Sequence, residues 1–334
     1  MNDERNLLEI SDLRIQFSAD LGTVKAADGI NLSVKRNKTL AIVGESGCGK
    51  SVTGLSILRL FPKNSAKIPS GKIIFAPKDE EPVDLLQLDE SEMGKIRGNK
   101  IAMVFQEPMT SLNPIFTVGY QLEEAIALHN PQLSKAEIEE KALELLHEVG
   151  IPEGKTVFRN YPHELSGGMR QRVMIAMAIS CNPALLIADE PTTALDVTVQ
   201  AQILDLLYRL QEKSQMSIIL ITHDLGVVAE NADDVAVMYA GKVIEQASAK
   251  EFFRNPVHPY SRGLLQSASR SCNEKTKRLY SIEGSVPGLI DLPNYCTFYN
   301  RCMEKGEECK KAFPEMHPVG ESHFVACFRE ECHD

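Results

Sequence analysis

At positions 44–51 the chain reads Gly44-Glu45-Ser46-Gly47-Cys48-Gly49-Lys50-Ser51, a motif from which its class can be inferred. Its spacing, G-x-x-x-x-G-K-[ST], is that of a phosphate-binding loop. The apolar run 40–43 before it predicts a buried parallel strand, and residues 52–60 behind it predict a helix. In that setting the glycines let successive backbone N–H groups face one anion, and the helix N-terminus adds a partial positive charge. We therefore expect the chain to bind a nucleoside triphosphate.

Polar side chains of this loop have separate roles toward a nucleotide. Lys50 is placed to reach the β- and γ-phosphates, and the Ser51 hydroxyl is placed to ligate Mg²⁺. We assign all of residues 44–51, together with Val52 at the start of the helix, to the ATP site. For Cys48 a lowered thiol pKa is one interpretation, and simple tolerance at a free position of the motif is the one we favour.

Two carboxylates end an apolar run further along the chain. Residues 184–188 predict a strand, and Asp189 and Glu190 follow where that strand leaves the core. Asp189 can hold the Mg²⁺ through water, and Glu190 is placed to polarise a water that attacks the γ-phosphate. A strand that ends in a solvated acidic pair is common by itself, but the phosphate-binding loop upstream favours the catalytic interpretation.

Length, charge and composition exclude several classes of protein. With 334 residues the chain has room for one large domain and an appendage, and its net charge of −10 argues against a broad nucleic-acid surface. No apolar run approaches the roughly eighteen residues of a membrane span, and the acidic start, with Asp3, Glu4 and Glu9, has no export signal. We expect a location inside the cell, where the eight cysteines would be reduced thiols or metal ligands.

The remaining pattern predicts an α/β chain in two parts. Strands are predicted within 7–34, 71–105, 184–188, 217–222 and 235–239, the last three in a parallel sheet covered on both faces. Residues 107–165 predict a mostly helical insert, with a capping box at Ser134 and Glu137. From about residue 250 prolines and clustered cysteines replace this rhythm. We therefore place one domain at 6–250 and a loop-rich extension at 251–334.

A second helix N-terminus suited to an anion begins in the segment Leu165-Ser166-Gly167-Gly168-Met169-Arg170-Gln171. A serine and two adjacent glycines open the helix that follows, so its first backbone N–H groups can meet a phosphate. One ATP does not need two such platforms from a single subunit. The simplest explanation is that this segment faces a nucleotide bound to a different subunit.

These motifs resemble those of the ATP-binding subunits of ABC transporters, whose signature sequence is similar to residues 165–171. The resemblance covers about residues 7–250 and includes each diagnostic motif in order. It implies an α/β P-loop NTPase fold: a RecA-like parallel sheet core, an antiparallel β subdomain, a helical insert over about 107–182 and a small loop-rich C-terminal extension. It also implies an ATPase in which two such domains form a head-to-tail sandwich around two ATP molecules.

The same resemblance implies roles for single residues. Gln106 is similar to the glutamine that senses Mg²⁺ and touches a membrane subunit, and His223 to the switch histidine that contacts the γ-phosphate. Asp196, in Ala194-Leu195-Asp196, is similar to the D-loop aspartate. Phe17 matches the aromatic residue that stacks on adenine, with Phe where Tyr is more usual, and core packing remains its alternative interpretation. The implied sets are catalytic Glu190, His223 and Gln106; magnesium-binding Ser51, Gln106 and Asp189; and, from the other subunit, Ser166, Gly167, Gly168 and Gln171.

Two features are similar to one group of ABC importers, those of dipeptides and oligopeptides. Residues 106–114 resemble the extended glutamine loop of that group, and 255–260, 264–265 and 284–287 resemble its C-terminal region. The implied function is that of the motor subunit, working with two transmembrane permease subunits and, indirectly, an extracytoplasmic peptide-binding protein. A related ATPase subunit is favoured over a second copy as the partner, no nucleic acid is involved, and the implied location is the cytoplasmic face of the membrane. For His258 we favour a structural cap over a regulatory contact.

Four cysteines lie in the extension at the spacing C-x5-C-x6-C-x17-C: Cys296, Cys302, Cys309 and Cys327. Spacing alone leaves a metal site and unligated thiols equally open, because structural zinc sites and ferredoxin-like runs usually have closer pairs. Members of the peptide-importer group with this tail carry a [4Fe–4S] cluster on four similar cysteines. The resemblance therefore implies such a cluster, which would hold together a tail with few apolar residues, and Zn²⁺ is the alternative. Spare candidate ligands are Cys272, Cys332, His317 and His323, whereas Cys181 is expected to be a buried packing residue.

Three other classes of protein remain as alternatives. The ATPase of a nickel importer is the closest rival, since the same tail group includes it. A soluble ABC ATPase acting on ribosomes or DNA would usually carry two cassettes in one chain or long coiled-coil insertions, and the sequence has neither. A switch GTPase would need an Asn-Lys-x-Asp motif, which the sequence also lacks.

Overall fold

Contacts along the chain divide it into two units. Unit 1 comprises Met1–Ala76, Pro82–Leu86 and Leu220–Asp334, and unit 2 comprises Pro77–Glu81 and Gln87–Ile219. The structure is a computed structural model that describes residues 6–20, 22–62, 65–106, 111–193, 195–268, 281–290 and 292–329. Unit 1 is therefore discontinuous in sequence, and its larger parts come from the two ends of the chain.

The first sheet of unit 1 is antiparallel, in the order β2-β1-β4-β5. Its strands are β1 (Leu8–Ala19), β2 (Gly22–Val34), β4 (Ala66–Phe75) and β5 (Val83–Asp84). Alternate residues of β1, such as Leu13 and Ile15, are fully buried, which is the pattern of a sheet with one face on the core. The strands predicted within 7–34 and at the start of 71–105 are confirmed, and they form the antiparallel subdomain that the resemblance implied.

The second group of strands in unit 1 has the order β11-β12-β10-β9-β3. These strands are β3 (Thr39–Val43), β9 (Asp234–Tyr239), β10 (Lys242–Ser248), β11 (His317–Gly320) and β12 (His323–Val325). Strands β3 and β9 are parallel, and Leu40 pairs with Asp234. Strand β12 lies antiparallel to β10, with Val325 opposite Glu245. The C-terminal tail thus extends the sheet that contains β3, an arrangement that the sequence does not predict.

Unit 2 contains the parallel pair β6 (Ile101–Val104) and β7 (Leu185–Asp189), in which Ile101 lies opposite Leu185. Strand β8 (Ser217–Ile221) has residues in both units. All residues of β6, β7 and β8 are buried, as expected for parallel strands that are covered on both faces. The mixed α/β fold predicted from the sequence is confirmed.

Helices account for most of the rest. In unit 1 they are α1 (Lys50–Ile57), α8 (Leu225–Asn231), α9 (Ala249–Arg254) and α10 (Pro259–Ala268). In unit 2 they are α2 (Glu90–Ile96), α3 (Val118–His129), α4 (Lys135–Glu148), α5 (Gly154–Arg159), α6 (Gly167–Ile179) and α7 (Val197–Ser214). The predicted capping box is present at the start of α4, where Ser134 and Glu137 exchange side chain–backbone hydrogen bonds. Within the described ranges, none of these helices has both the length and the apolar character needed to cross a bilayer.

Candidate nucleotide-binding site

Two glycines fix the shape of the phosphate-binding loop between β3 and α1. Gly44 has φ +152°, and a Cβ added there would lie 2.2 Å from the carbonyl oxygen of Met238. Gly49 has φ +104°, and its Cβ would lie 2.1 Å from the carbonyl oxygen of Ala26. Because real Cβ atoms do not approach backbone oxygens so closely and L-residues rarely adopt such φ values, only glycine fits at both ends of the turn.

The ammonium group of Lys50 lies inside this loop. Its Nζ donates to the carbonyl oxygens of Gly44 (2.8 Å) and Glu45 (3.1 Å), and the residue is only 5% exposed. The charge is therefore held against the same turn whose backbone N–H groups the motif directs at phosphate. The role of Lys50 toward the β- and γ-phosphates stays a prediction.

Cys48 belongs to the loop and is fully buried, with its Sγ 3.9 Å from Lys50 Nζ. Burial raises the pKa of its thiol, and the nearby ammonium only partly opposes this effect. The lowered pKa considered from the sequence is therefore wrong, because desolvation of the thiolate outweighs the attraction of Lys50. Cys48 serves as a small packing residue, which agrees with the tolerance that we favoured.

Two further candidates of unit 1 lie near the surface. Phe17, on β1, is half-buried and forms an edge-to-face contact with Phe61 at a centroid distance of 5.7 Å. It lies outside the fully buried core, so part of its ring remains accessible. His223 is exposed in the turn between β8 and α8.

Unit 2 brings together the glutamine loop and the acidic pair. Asp189 is buried at the end of β7, and Glu190 follows with φ +45°, an unusual left-handed value for a residue other than glycine. Gln106 Nε2 donates to Glu190 Oε2 (3.1 Å), and Thr193 Oγ1 donates to the same oxygen (2.8 Å). Such strain is often found at functional sites, where surrounding contacts fix an otherwise unfavourable backbone. The contact of Thr193 was missed because a threonine three residues after an acidic pair carries no motif of its own.

The signature segment forms the N-terminus of α6. The Ser166 hydroxyl accepts from Met169 N–H (3.3 Å) and caps the helix. A Cβ on Gly168 would lie 2.8 Å from Val199 Cγ1, so this glycine lets α6 approach α7 closely. Ser166 is exposed, whereas Gln171 is 1% exposed and therefore does not share its open surface.

The predicted D-loop and glutamine-loop segments are described only in part. Asp196 caps α7, with its Oδ1 accepting from Val199 N–H (3.0 Å). Ala194 and residues 107–110 lie outside the described residues. Beyond that gap, Phe116 and Tyr120 stack at a centroid distance of 4.6 Å, and both are exposed.

The four tail cysteines line a single pocket. Cys296, Cys302, Cys309 and Cys327 surround it together with residues that include Phe298 and Pro314. All four are free thiols, and Cys296 N–H donates to Cys309 O (3.1 Å). Burial raises the pKa of Cys296 to about 11 and also raises the pKa values of Cys302 and Cys327. The structure thus gathers residues that lie up to thirty-one positions apart in the sequence.

The two histidines among the spare ligands and His258 have other contacts, and His317 Nδ1 lies 3.2 Å from Glu315 O. His323 Nε2 contacts Glu245 Oε1 (2.7 Å) in a buried pair, and Cys181 is half-buried beside Asn130. Cys272 and Cys332 lie outside the described residues. His258 Nδ1 accepts from Tyr260 N–H (3.0 Å) at the start of α10, and burial lowers the pKa of its imidazole to about 4. The structural cap that we favoured for His258 is confirmed.

Comparison with known proteins identifies the family. The sequence profile described as "ABC transporter" matches residues 27–193, which include the phosphate-binding loop, the signature segment and the acidic pair. The chain belongs to the ABC transporter family. A second profile, "Oligopeptide/dipeptide transporter, C-terminal region", matches residues 244–309.

Two similar proteins align with nearly the whole length of this ABC protein. The dipeptide transport ATP-binding protein DppD of Bacillus subtilis is 47% identical over 325 residues, which cover 97% of this chain and 95% of DppD. The oligopeptide transport ATP-binding protein AppD of the same organism is also 47% identical, and 97% of each chain is covered. The dimeric post-hydrolysis structure of the ATP-binding cassette MJ0796, bound to ADP and Pi, superposes with a TM-score of 0.63 at 28% identity and covers 72% of this chain and 98% of that one.

Proposed function

We propose that this ABC ATPase is the ATP-hydrolysing subunit of an importer of dipeptides or oligopeptides. The observation that carries the proposal is the presence in one chain of the ABC profile at 27–193 and the oligopeptide/dipeptide C-terminal profile at 244–309. Relatives whose names state dipeptide or oligopeptide transport match both parts at 47% identity, which supports the same substrate class. The domain boundary that we propose, near residue 250, falls within the second profile's range.

We propose the following roles for the residues of the ATP site. Residues 44–52 would hold the phosphates through backbone N–H groups, with Lys50 at the β- and γ-phosphates and Phe17 on adenine. Mg²⁺ would be held by Ser51, Gln106 and Asp189, and it would neutralise charge on the phosphates. Glu190 would orient and polarise the attacking water, and His223 would contact the γ-phosphate. The hydrogen bond from Gln106 to Glu190 supports this assignment, because it shows that the proposed magnesium ligand and the proposed general base are in direct contact.

A second ATPase subunit would complete each site. We propose that Ser166, Gly167 and Gly168 of one subunit approach the nucleotide of the other, with Asp196 nearby, and that a related subunit is the usual partner. The exposed, capped start of α6 supports this role, as does the dimeric state of the similar cassette MJ0796. Two permease subunits would hold the pair at the cytoplasmic face of the membrane. An extracytoplasmic peptide-binding protein would act through them.

We also propose that Cys296, Cys302, Cys309 and Cys327 hold a [4Fe–4S] cluster. Among the residues that the structure describes, no three His, Cys, Asp or Glu side chains are arranged to bind one metal ion, so the proposal rests on the resemblance of the tail and on the pocket that the four cysteines share. In a cluster each thiolate binds a different iron, and the four cysteines that line one pocket would supply those ligands. A bound cluster would crosslink the tail and would keep the four thiols as thiolates.

Transport by the assembled complex tests the peptide-importer proposal. The chain would be co-expressed with its two permeases and the related ATPase, and the complex reconstituted in liposomes with the peptide-binding protein. We expect uptake of a labelled dipeptide or oligopeptide that requires ATP, and ATP hydrolysis stimulated by that peptide. Uptake of Ni²⁺ without peptide uptake would instead support the nickel-importer alternative. Failure to co-purify with the permeases would argue for an ATPase outside transport.

A further inference from the structure

A tail residue binds directly to the phosphate-binding loop. Arg301 lies between Cys296 and Cys302 in sequence, and its guanidinium binds the carboxylate of Glu45 through two parallel hydrogen bonds. Nη1 donates to Glu45 Oε2 (2.6 Å) and Nη2 to Glu45 Oε1 (3.0 Å). The Arg301 side chain is 6% exposed, and that of Glu45 is 30% exposed. Two-point pairs of this kind are geometrically specific and stronger than neutral hydrogen bonds.

All five N–H donors of Arg301 are used. Besides the two bonds to Glu45, Nε donates to Glu283 O (2.9 Å), Nη2 to Ile282 O (3.2 Å) and Nη1 to Tyr239 Oη (3.4 Å). An arginine has no more than five donors. Its hydrogen bond to Glu45 raises the pKa of the guanidinium, so the group stays charged. The tail carbonyls of Ile282 and Glu283 therefore hold the Arg301 guanidinium in the orientation in which it binds the Glu45 carboxylate.

A second tail residue holds the backbone at the same position. Tyr260 Oη accepts from Glu45 N–H (2.9 Å), and its fully buried ring packs on those of Tyr239 (4.7 Å) and Phe298 (5.5 Å). Burial raises the pKa of Tyr260, which keeps its phenol neutral. The carbonyl of Glu45, in turn, accepts from Lys50 Nζ (3.1 Å). Contacts from the tail thus determine where one of the two oxygens that bind Lys50 lies.

We propose that Arg301 and Tyr260 are positioning residues for ATP, and that the tail sets the affinity of the phosphate-binding loop. Glu45 places a carboxylate in the loop that receives a triphosphate, where an uncompensated negative charge would repel the ligand. Arg301 neutralises that carboxylate and holds it in one place. Tyr260 binds the backbone N–H of Glu45, whose carbonyl oxygen accepts a hydrogen bond from Lys50. A loop already held in its binding shape loses less entropy when it binds ATP. The proposal concerns ATP binding alone, so it stands or falls independently of the transported substrate.

Binding of a fluorescent ATP analogue to the full-length chain tests this proposal. We expect Arg301→Gln to raise the Kd roughly tenfold, because it leaves the Glu45 carboxylate uncompensated. Glu45→Gln alone should weaken binding less than Arg301→Gln does, since it removes the negative charge beside the phosphates and leaves the Arg301 guanidinium as the unpaired group. The double variant Glu45→Gln/Arg301→Gln should bind within about threefold of the unmutated protein, a non-additive rescue that marks direct coupling. Arg301→Lys should restore only part of the affinity, because an ammonium cannot reproduce the two-point fork.

A second tail arginine provides the matched control. Arg262 forms its ion pair with Glu304, another tail residue, rather than with the loop, so Arg262→Gln should leave the Kd within about twofold of that of the unmutated protein. In the assembled complex Arg301→Gln should raise KM for ATP far more than it lowers kcat, because Arg301 does not touch the attacking water. Melting of each variant without nucleotide checks that the fold is intact.

Two results would overturn the proposal. One is an unchanged Kd for Arg301→Gln in a folded chain. The other is equal weakening by Arg301→Gln and Arg262→Gln with no rescue by Glu45→Gln, because that would mean that the tail matters only for general stability. A Tyr260→Phe variant extends the same test to the backbone contact, and we expect it to weaken binding by about threefold through loss of one hydrogen bond.

Discussion

Glu190 combines an unusual backbone with two hydrogen bonds to one carboxylate oxygen, from Gln106 and Thr193. We expect Glu190→Gln to bind ATP but to hydrolyse it at least about a hundredfold more slowly, because an amide cannot accept a proton as a general base does. Single-turnover hydrolysis in the assembled complex measures this effect. Glu139→Gln, on the exposed face of α4, is the control and should be active. A Glu190→Gln complex that turned over at the normal rate would remove Glu190 from the catalytic set.

Gly44 supports a second prediction at this scale. Gly44→Ala should lower the free energy of unfolding by about 2–4 kcal/mol and weaken ATP binding, since the new methyl group would meet the backbone oxygen of Met238 at 2.2 Å. Gly94 is the matched control: it lies inside α2 with open space around it. Gly94→Ala should stabilise the chain by about 0.5–1 kcal/mol. Urea unfolding compares the two variants, and equal stabilities would contradict the tight fit at Gly44.

Helix α6 begins with a serine that both caps the helix and remains exposed. Ser166→Asp keeps an oxygen that can accept from Met169 N–H, because Asp caps helices as well as Ser does. Its negative charge would nevertheless repel the phosphates of a nucleotide on a second subunit. We expect the isolated chain to remain folded, and hydrolysis by the assembled complex to fall at least about tenfold. Ser166→Asn is the neutral control, and equal rates for the Asp and Asn variants would show that no phosphate lies near Ser166.

Strands β10 and β12 are joined by a buried polar pair. Glu245 is fully buried and accepts from Val257 N–H, from His258 N–H and, across the strands, from His323. His323→Leu should lower the free energy of unfolding by about 3 kcal/mol, because it leaves a buried carboxylate without one of its partners. Lys213→Met, which removes an exposed pair with Glu148, should cost less than about 1 kcal/mol. Similar losses in both variants would mean that the His323–Glu245 contact does not stabilise the sheet.

The metal content of the whole protein tests the role proposed for the four tail cysteines. Anaerobically purified protein should contain about four iron atoms per chain and show the brown colour of an iron–sulfur cluster. Serine at any one of Cys296, Cys302, Cys309 or Cys327 should lower the iron content and the melting temperature. Cys181→Ser is the control and should retain both, since Cys181 lies in unit 2. Colourless protein that contains zinc instead would reject the cluster.

Local patterns in the sequence were enough to predict much of the fold. The phosphate-binding loop, β7 with its acidic end and the capping box of α4 each depend on a few neighbouring residues, so spacing and periodicity reveal them. Strands β11 and β12 are only four and three residues long, and β12 buries a histidine, His323, where an apolar residue would be expected. Their partner β10 lies far away in sequence, so no local rule could assign the pairing.

The candidate site shows the same division. Single residues such as Lys50 were assigned from the motif, whereas the contact between Arg301 and Glu45 joins positions 256 residues apart. For Cys48 the sequence left the direction of the pKa shift open for a related reason: the neighbouring Lys50 is visible in the sequence, but the depth of burial that decides the direction is not. Sequence therefore predicts which residue types meet the nucleotide better than it predicts what holds them in place.

The discontinuity of unit 1 has a consequence for how the chain is synthesised. Strand β3, which leads into the phosphate-binding loop, pairs with β9, and the loop itself is bound by Tyr260 and Arg301. A ribosome makes β3 and the loop early and these partners late, whereas nearly all of unit 2 forms one continuous segment between them. The newly made loop therefore lacks these contacts until Arg301 has been synthesised. Contacts between such distant segments also form slowly. Translation that stops before Arg301 would release a polypeptide with every local motif for ATP but without the residues that hold its loop.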